Sequence, residues 1–179
     1  FNATGATYTL QAAVTVSNNL TLTAGEFDVS ASSYSVTVGG NWSSTGTFTF
    51  RAGTVTFNKT GPSTQTISGG TFYDLTTSAA VAGAVKQVTS NIDVNHAVTI
   101  GANTQLDGQT YNIYVGSGIA ANTNIWVNNV GAGGFTQTGT GTVIFDNATN
   151  TATLSTVATT TFNNVTDSLE ANAEKVFYA

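Results

Sequence analysis

The sequence predicts an all-β protein, a β-solenoid in the form of a right-handed parallel β-helix with about six to seven coils. The first reason is that short segments alternate apolar and polar residues and are closed by Gly, Asn or Ser-Thr after only a few positions. The second is that the pattern recurs in two copies. No segment has the length and spacing that a helix would need.

The alternation is clearest in residues 39–75, where one apolar-polar-apolar segment follows another with barely room for a turn. Strand centres in the first copy fall near residues 15, 21, 28, 37, 43, 49, 56, 66 and 74. In groups of three they return about every 20 residues, which indicates roughly three coils per copy and a rod of about 30 Å. The alternative fold, an immunoglobulin-type sandwich in each copy, is less favoured because it prefers longer strands, with turns about every 8 to 12 residues.

The two copies define the predicted domains, a module at 1–78 and a second at 79–179, stacked as one rod. Segments 8–10, 14–16 and 20–22 match 86–88, 92–94 and 98–100 at an offset of about 78. Further along, the offset grows to about 88 through insertions in the turns. The matched aromatic residues are Trp42 with Trp126, Phe48 with Phe135, Phe57 with Phe145, and Phe72 with Phe162.

Composition excludes several functional classes. Charged residues make up 7% of the chain, against about 25% in a typical globular domain. With four basic residues and a net charge of −5, binding to nucleic acid or to an anionic membrane is not expected. No apolar run approaches the roughly 20 residues that membrane insertion by a helix requires. The absence of Cys rules out disulfides, and the lack of an initiating Met suggests a processed chain or a fragment.

No candidate catalytic, cofactor-binding or metal site emerges, so an enzyme is not expected. Glu26 and Asp28 stand two residues apart on one strand face, which allows Ca²⁺ binding or a shared proton, but like charges on a solvated face explain them better. His96, the only histidine, is predicted on a turn beside Asp93 and Asn95 without a convergent ligand set. Six sequons make candidate glycosylation sites of Asn2, Asn19, Asn41, Asn58, Asn147 and Asn164.

Two surface-binding alternatives depend on which way side chains point. Alternation turns Trp42 and Trp126 inward, which favours core packing over stacking against sugars. The Thr-x-Thr segments would suit an ice-binding face only if they aligned on successive coils. Because segment 54–56 becomes Thr-Val-Ile at 142–144 in the second copy, that column is expected to be broken. Exposed hydroxyl ladders are then the simpler interpretation.

Residues 36–50, 53–58 and 65–76 resemble the tandem β-strand repeats of large extracellular surface and adhesin-like proteins of bacteria and archaea. The resemblance extends over nearly the whole chain, with a degenerate second copy. It implies a right-handed β-helical stalk that holds an adhesin or builds a fibre, secreted and located at the cell surface. It identifies no functional residues.

The ends of the chain carry no recognisable cap, and a solenoid without caps exposes unpaired strand edges. We therefore expect an extracellular structural subunit that stacks head to tail into a homopolymeric filament, its tail pairing with the neighbour. A stalk segment of a larger adhesin is the main alternative, and a carbohydrate-binding or ice-binding module is a further one. Glycans are left open as a further partner. The candidate assembly residues are Phe1, Tyr8, Leu10, Val176, Phe177 and Tyr178.

Overall fold

The computed structural model describes residues 1–118, 123–146, 152–167 and 175–178. In these ranges the chain forms short β-strands and no helix. In chain order they are β1 (Asn2–Thr9), β2 (Val14–Val16), β3 (Leu20–Leu22), β4 (Ala24–Asp28), β5 (Val36–Val38), β6 (Trp42–Ser44), β7 (Thr47–Thr49), β8 (Thr54–Phe57), β9 (Ser63–Ser68), β10 (Thr71–Thr77), β11 (Ala84–Val88), β12 (Ile92–Ile100), β13 (Thr104–Asp107), β14 (Ile113–Val115), β15 (Thr123–Asn128), β16 (Phe135–Thr136), β17 (Val143–Phe145), β18 (Ala152–Thr156), β19 (Val165–Asp167) and β20 (Lys175–Tyr178).

The strands form a parallel β-solenoid of about seven turns, as predicted. Each coil crosses three faces. Face A carries the three-stranded sheet of β1, β4 and β7, followed along the rod by β14, β17 and β19, which join the eleven-stranded sheet through β12. Face B carries the other strands of that sheet, β2, β5, β8, β15, β18 and β20, and face C carries the six-stranded sheet of β3, β6, β9, β11, β13 and β16. Strands β10 and β12 bend, so that each begins on face A and ends on face B.

Because the coils stack, inward-pointing residues on successive coils lie one above another in columns, and these columns form the core. On face B, Val14, Val36, Val55, Leu75 and Val98 occupy successive rungs and are followed by Trp126 and Leu154. From Val36 onward every member is buried. Since successive strand residues point to opposite sides, alternation in the sequence is sufficient to separate this core from the surface.

The two copies found in the sequence have the same internal packing. Trp42 lies 5.1, 6.2 and 5.3 Å from the ring centroids of Phe48, Phe57 and Phe72. Trp126 lies 4.9, 6.2 and 5.3 Å from Phe135, Phe145 and Phe162. These are the four aromatic pairs that the alignment of the copies predicts, so each copy encloses its own four-ring cluster.

The second copy is nevertheless rotated by one face around the rod. Strand β2 lies on face B, whereas its counterpart at the start of β12 lies on face A; β3 lies on face C, whereas its counterpart at the end of β12 lies on face B. The repeat therefore spans more than three coils and fewer than four. Hydrogen bonding is continuous between the copies through the pairs β9–β11 and β10–β12. The boundary at residue 78 stays a prediction.

Candidate functional site

Among the described strands, the unpaired edges at the two ends of the stack are the features that best fit a role in assembly. On face B, β2 is hydrogen-bonded to β5 alone at one end, and β20 to β18 alone at the other. The predicted tail residues Val176, Phe177 and Tyr178 therefore extend the sheet of their own chain. Pairing of the tail with a neighbour is possible only through the outer edge of β20.

The direction of the backbone groups in β2 follows from its hydrogen bonds. Val14 donates its N–H to the Ser35 carbonyl (3.1 Å), and the Val16 carbonyl accepts from Gly39 (2.7 Å). In a parallel ladder, alternate residues direct both backbone groups to the same neighbour. The N–H and C=O of Thr15 therefore point away from β5, towards the open end of the stack.

The same end carries exposed aromatic side chains. Phe1 and Tyr8 are 42% and 37% exposed, and Phe1 stacks on the buried Phe27 with centroids 4.8 Å apart. The terminal amine donates to the Thr21 carbonyl (2.7 Å), which fixes Phe1 beside β3. Leu10, the third predicted assembly residue here, is partly buried against the core. This end of the stack therefore presents both unpaired backbone groups of β2 and apolar aromatic side chains.

A groove of about 530 Å³ opens on face A, where β7 has no hydrogen-bonded partner on its far side among the described strands. The start of β10 lies across this groove from β7, and just before it Trp42 donates its indole N–H to the Gly69 carbonyl (3.0 Å). Gly70 has φ +111°, and a Cβ there would lie 3.2 Å from the indole nitrogen. The buried tryptophan therefore contacts the turn that precedes β10.

Asp93 lines this groove together with Tyr114. Its Oδ1 atom is buried and has no hydrogen-bond partner within the described ranges. Burial, and secondarily the charge of Asp146, raise the pKa of Asp93. Burial likewise raises the pKa of Asp146. Two carboxyl groups without a neighbouring cation or a third ligand do not make a metal site.

His96 lies within β12, so its predicted position on a turn is wrong. Its Nδ1 atom is 2.6 Å from Asp74 Oδ1, and its ring stacks on Tyr73 with centroids 4.7 Å apart. The register of β10 and β12 shifts between Phe72 and Asp74, and that irregularity brings these side chains together. The sequence shows no signal for this pairing, because it depends on the bulge.

Glu26 and Asp28, the two acidic residues of β4, accept hydrogen bonds from residues on neighbouring coils. Glu26 accepts from the hydroxyls of Thr7 (3.0 Å) and Thr49 (2.5 Å). Asp28 accepts two hydrogen bonds from Arg51, at 2.7 and 2.8 Å. The prediction that Glu26 and Asp28 lie on the same face of the strand is confirmed, with the buried Phe27 between them on the opposite face. The two carboxylates serve different partners, and the Arg51 guanidinium holds the pKa of Asp28 below its ordinary value.

The predicted glycosylation sites differ in accessibility. Asn2 and Asn58 are exposed. Asn19 and Asn41 accept backbone hydrogen bonds from the next coil, at 2.8 and 3.0 Å. Asn164 donates its amide to the Gly139 and Gly141 carbonyls, which a glycan on that nitrogen would disturb. Asn147 lies outside the described residues, and occupancy stays a prediction.

Both tryptophans are fully buried, as the alternation predicted, and neither presents a ring to a sugar. In the described ranges no three His, Cys, Asp or Glu side chains are grouped to hold a metal ion. The same ranges include no helix with the length and apolarity needed to cross a membrane. Comparison with protein-family models, curated proteins and solved structures finds no significant match.

Proposed function

We propose that this chain is an extracellular structural subunit that stacks head to tail into a filament. The observation that carries the proposal is that, among the described strands, the parallel sheet on face B ends at each end of the stack in a strand whose outer edge has no hydrogen-bonded partner. A parallel coil can be followed by another parallel coil without change of direction. The edge of β20 in one copy and that of β2 in the next are therefore complementary.

The contact is heterologous, since two different surfaces meet, and heterologous contacts that do not close a ring give open filaments. Exposed strand edges bind other strands readily, because their N–H and C=O groups lack partners. Burial of the partly exposed Phe1 and Tyr8 rings would add an apolar contribution of about 25 cal/mol per Å². Each subunit of about seven coils would lengthen the filament by about 34 Å.

A location outside the cell is supported by composition and by the surface. Hydroxyl and amide side chains replace charged ones, Cys is absent, and the sequon residues Asn2 and Asn58 are exposed. The resemblance to adhesin-like repeats supports the same location. A stalk in a larger surface protein would use the same continuous ladder, with receptor binding carried by other domains.

The substitution Thr15→Pro tests whether the outer edge of β2 forms the junction between subunits. Proline removes the N–H that points to the open end and leaves the bonds of Val14 and Val16 to the next coil in place. Size-exclusion chromatography with light scattering and negative-stain microscopy should show filaments for the unaltered chain. The variant should require about tenfold more protein to polymerise, since a junction hydrogen bond and close approach are lost.

Thr15→Val is the matched control, because it changes the side chain and keeps the N–H; it should polymerise like the unaltered chain. Far-UV circular dichroism establishes that each variant is folded. If the unaltered chain stays monomeric at high concentration, the filament proposal fails and the stalk is favoured. If Thr15→Pro polymerises normally, the face-B edge is not the junction.

A further inference from the structure

Face B carries a straight rank of threonines on five successive coils. The strand register aligns Thr15 with Thr37, Thr37 with Thr56, Thr56 with Thr76, and Thr76 with Thr99. All five side chains point outward, between inward residues of the core columns. At about 4.8 Å per rung the rank is about 19 Å long. We call it the threonine rank.

The hydroxyls of the threonine rank are available to water. Thr15 is exposed and the other four are half-buried. None of the five forms a side-chain hydrogen bond with another residue in the described part of the chain. By contrast, the inward Thr77 hydroxyl is 2.6 Å from that of Thr104. Because the χ1 angle of threonine is restricted, five threonines on equivalent rungs present hydroxyl and methyl groups in a regular order.

The residues beside the rank are short and nearly all uncharged. The positions two residues before and after each threonine hold Ala, Ser, Gly, Thr, Asn and one Asp. That one charged residue, Asp74, contacts His96 at 2.6 Å and is thereby held close to the sheet. No aromatic residue occupies these columns. The flanking residues are Ala13, Ser35, Thr54, Asp74 and Ala97 on one side, and Ser17, Gly39, Asn58, Ser78 and Gly101 on the other.

We propose that the threonine rank is an ice-binding face. A partner that meets the same group on every rung must itself repeat along the rod, as a crystal lattice does. Waters bridging hydroxyls of neighbouring rungs would be ordered at the rung spacing. Sites for organic ligands are lined by apolar and aromatic side chains, whereas the columns beside the rank hold small or polar residues and no aromatic one. The lattice is therefore the occupant that the surface fits.

The rank includes Thr56 from the segment considered in the sequence, but not the counterpart of that segment in the second copy. Val143 and Ile144, from the Thr-Val-Ile segment that led to the prediction of a broken column, belong to β17, which pairs with β14 on face A. They do not interrupt face B, because the second copy is rotated. The rank ends instead at Val127, which aligns with Thr99. It lies along the side of the rod, so stacking at the ends would leave it exposed.

The test uses the intact chain in an ice-recrystallisation assay and in nanolitre osmometry, with Thr56→Lys at the centre of the rank. A lysine there would hold the neighbouring hydroxyls away from the lattice, and even a small gap removes much of a close contact. We expect the unaltered chain to inhibit recrystallisation and the variant to need an about tenfold higher concentration. Thr47→Lys, on the exposed side of β7 on face A, is the control with the same charge change and should behave like the unaltered chain.

Absence of any inhibition or thermal hysteresis by the folded, unaltered chain would overturn the proposal. Equal activity of Thr56→Lys and the unaltered chain would also overturn it. So would an equal loss in Thr47→Lys, which would show that added charge, and not the face, is responsible. Retained folding of each protein is established by its melting curve.

Discussion

Replacing Lys86 by methionine should stabilise the protein at neutral pH and abolish a rise of stability in alkali. Lys86 lies in β11 with its side chain fully buried, in register between Gln65 and Leu106. Its ammonium donates to the Lys59 carbonyl. Burial, and to a lesser degree the nearby charge of Lys59, lower the pKa of Lys86 from 10.5 to about 8.

The direction in which stability changes with pH follows from proton binding by Lys86 in the folded and unfolded states. Between pH 8 and 10.5 the unfolded chain keeps the proton on Lys86 while the folded chain has lost it, so the free energy of unfolding rises with pH in this window. At about 1.4 kcal/mol for each pH unit between the two values, the full rise is about 3 kcal/mol. Below pH 8 both states are charged, and the folded state retains the whole penalty.

Methionine has a similar volume and no charge, so Lys86→Met removes this penalty. It also leaves the Lys59 carbonyl without its donor, which costs about 1 kcal/mol. The expected net gain at pH 7 is therefore about 2 kcal/mol. Above pH 10.5 the unaltered chain should become at least as stable as the variant.

Urea unfolding at pH 7, 8, 9, 10 and 11 gives the free energies. Lys59→Met is the control, since Lys59 is only partly buried and its loss should leave the alkaline rise largely intact. A flat profile for the unaltered chain, or the same rise in Lys86→Met, would refute the assignment of the buried charge.

Two further predictions concern buried hydrogen bonds. In urea unfolding, Trp42→Phe should lower the free energy of unfolding by about 1 kcal/mol more than Trp126→Phe does. The first substitution breaks the hydrogen bond to Gly69, whereas the second removes an indole N–H that has no partner in the described ranges. Equal losses for the two variants would contradict this reasoning. Asp28→Asn should lower the melting temperature at pH 7 by a few degrees. Since Arg51 lowers the pKa of Asp28 from its ordinary value of 3.8, that contribution should shrink as the pH falls below about 3.8, and the two proteins should melt alike only below the lowered pKa of the folded state.

Much of the fold could be read from local pattern because each strand contributes a short alternating segment. The alternation that placed Val36, Val55 and Trp42 inward is the same alternation that the core requires. The repeat was equally visible, since the four aromatic residues of each copy recur in order. Parallel stacking followed from coils of about 20 residues, which bring equivalent segments back to one face.

Alignment between coils was decided only by the tertiary structure. A turn can lengthen without changing the pattern of a strand, so the sequence does not state which face a segment reaches. Val36 and Val55 are neighbours on adjacent coils, and so are Val98 and Trp126, although the second pair is separated by nine more residues. The rotation of the second copy and the membership of the threonine rank both depend on this register.

The sequence by itself determined the strands, the inward direction of their apolar residues and the internal repeat, because these follow from local alternation and its recurrence along the chain. The tertiary structure decided where polar groups meet. The ammonium of the buried Lys86 meets the Lys59 carbonyl, and His96 contacts Asp74 where the register of β10 and β12 shifts. Such pairings depend on contacts between coils about 20 residues apart, which no short window of the sequence contains.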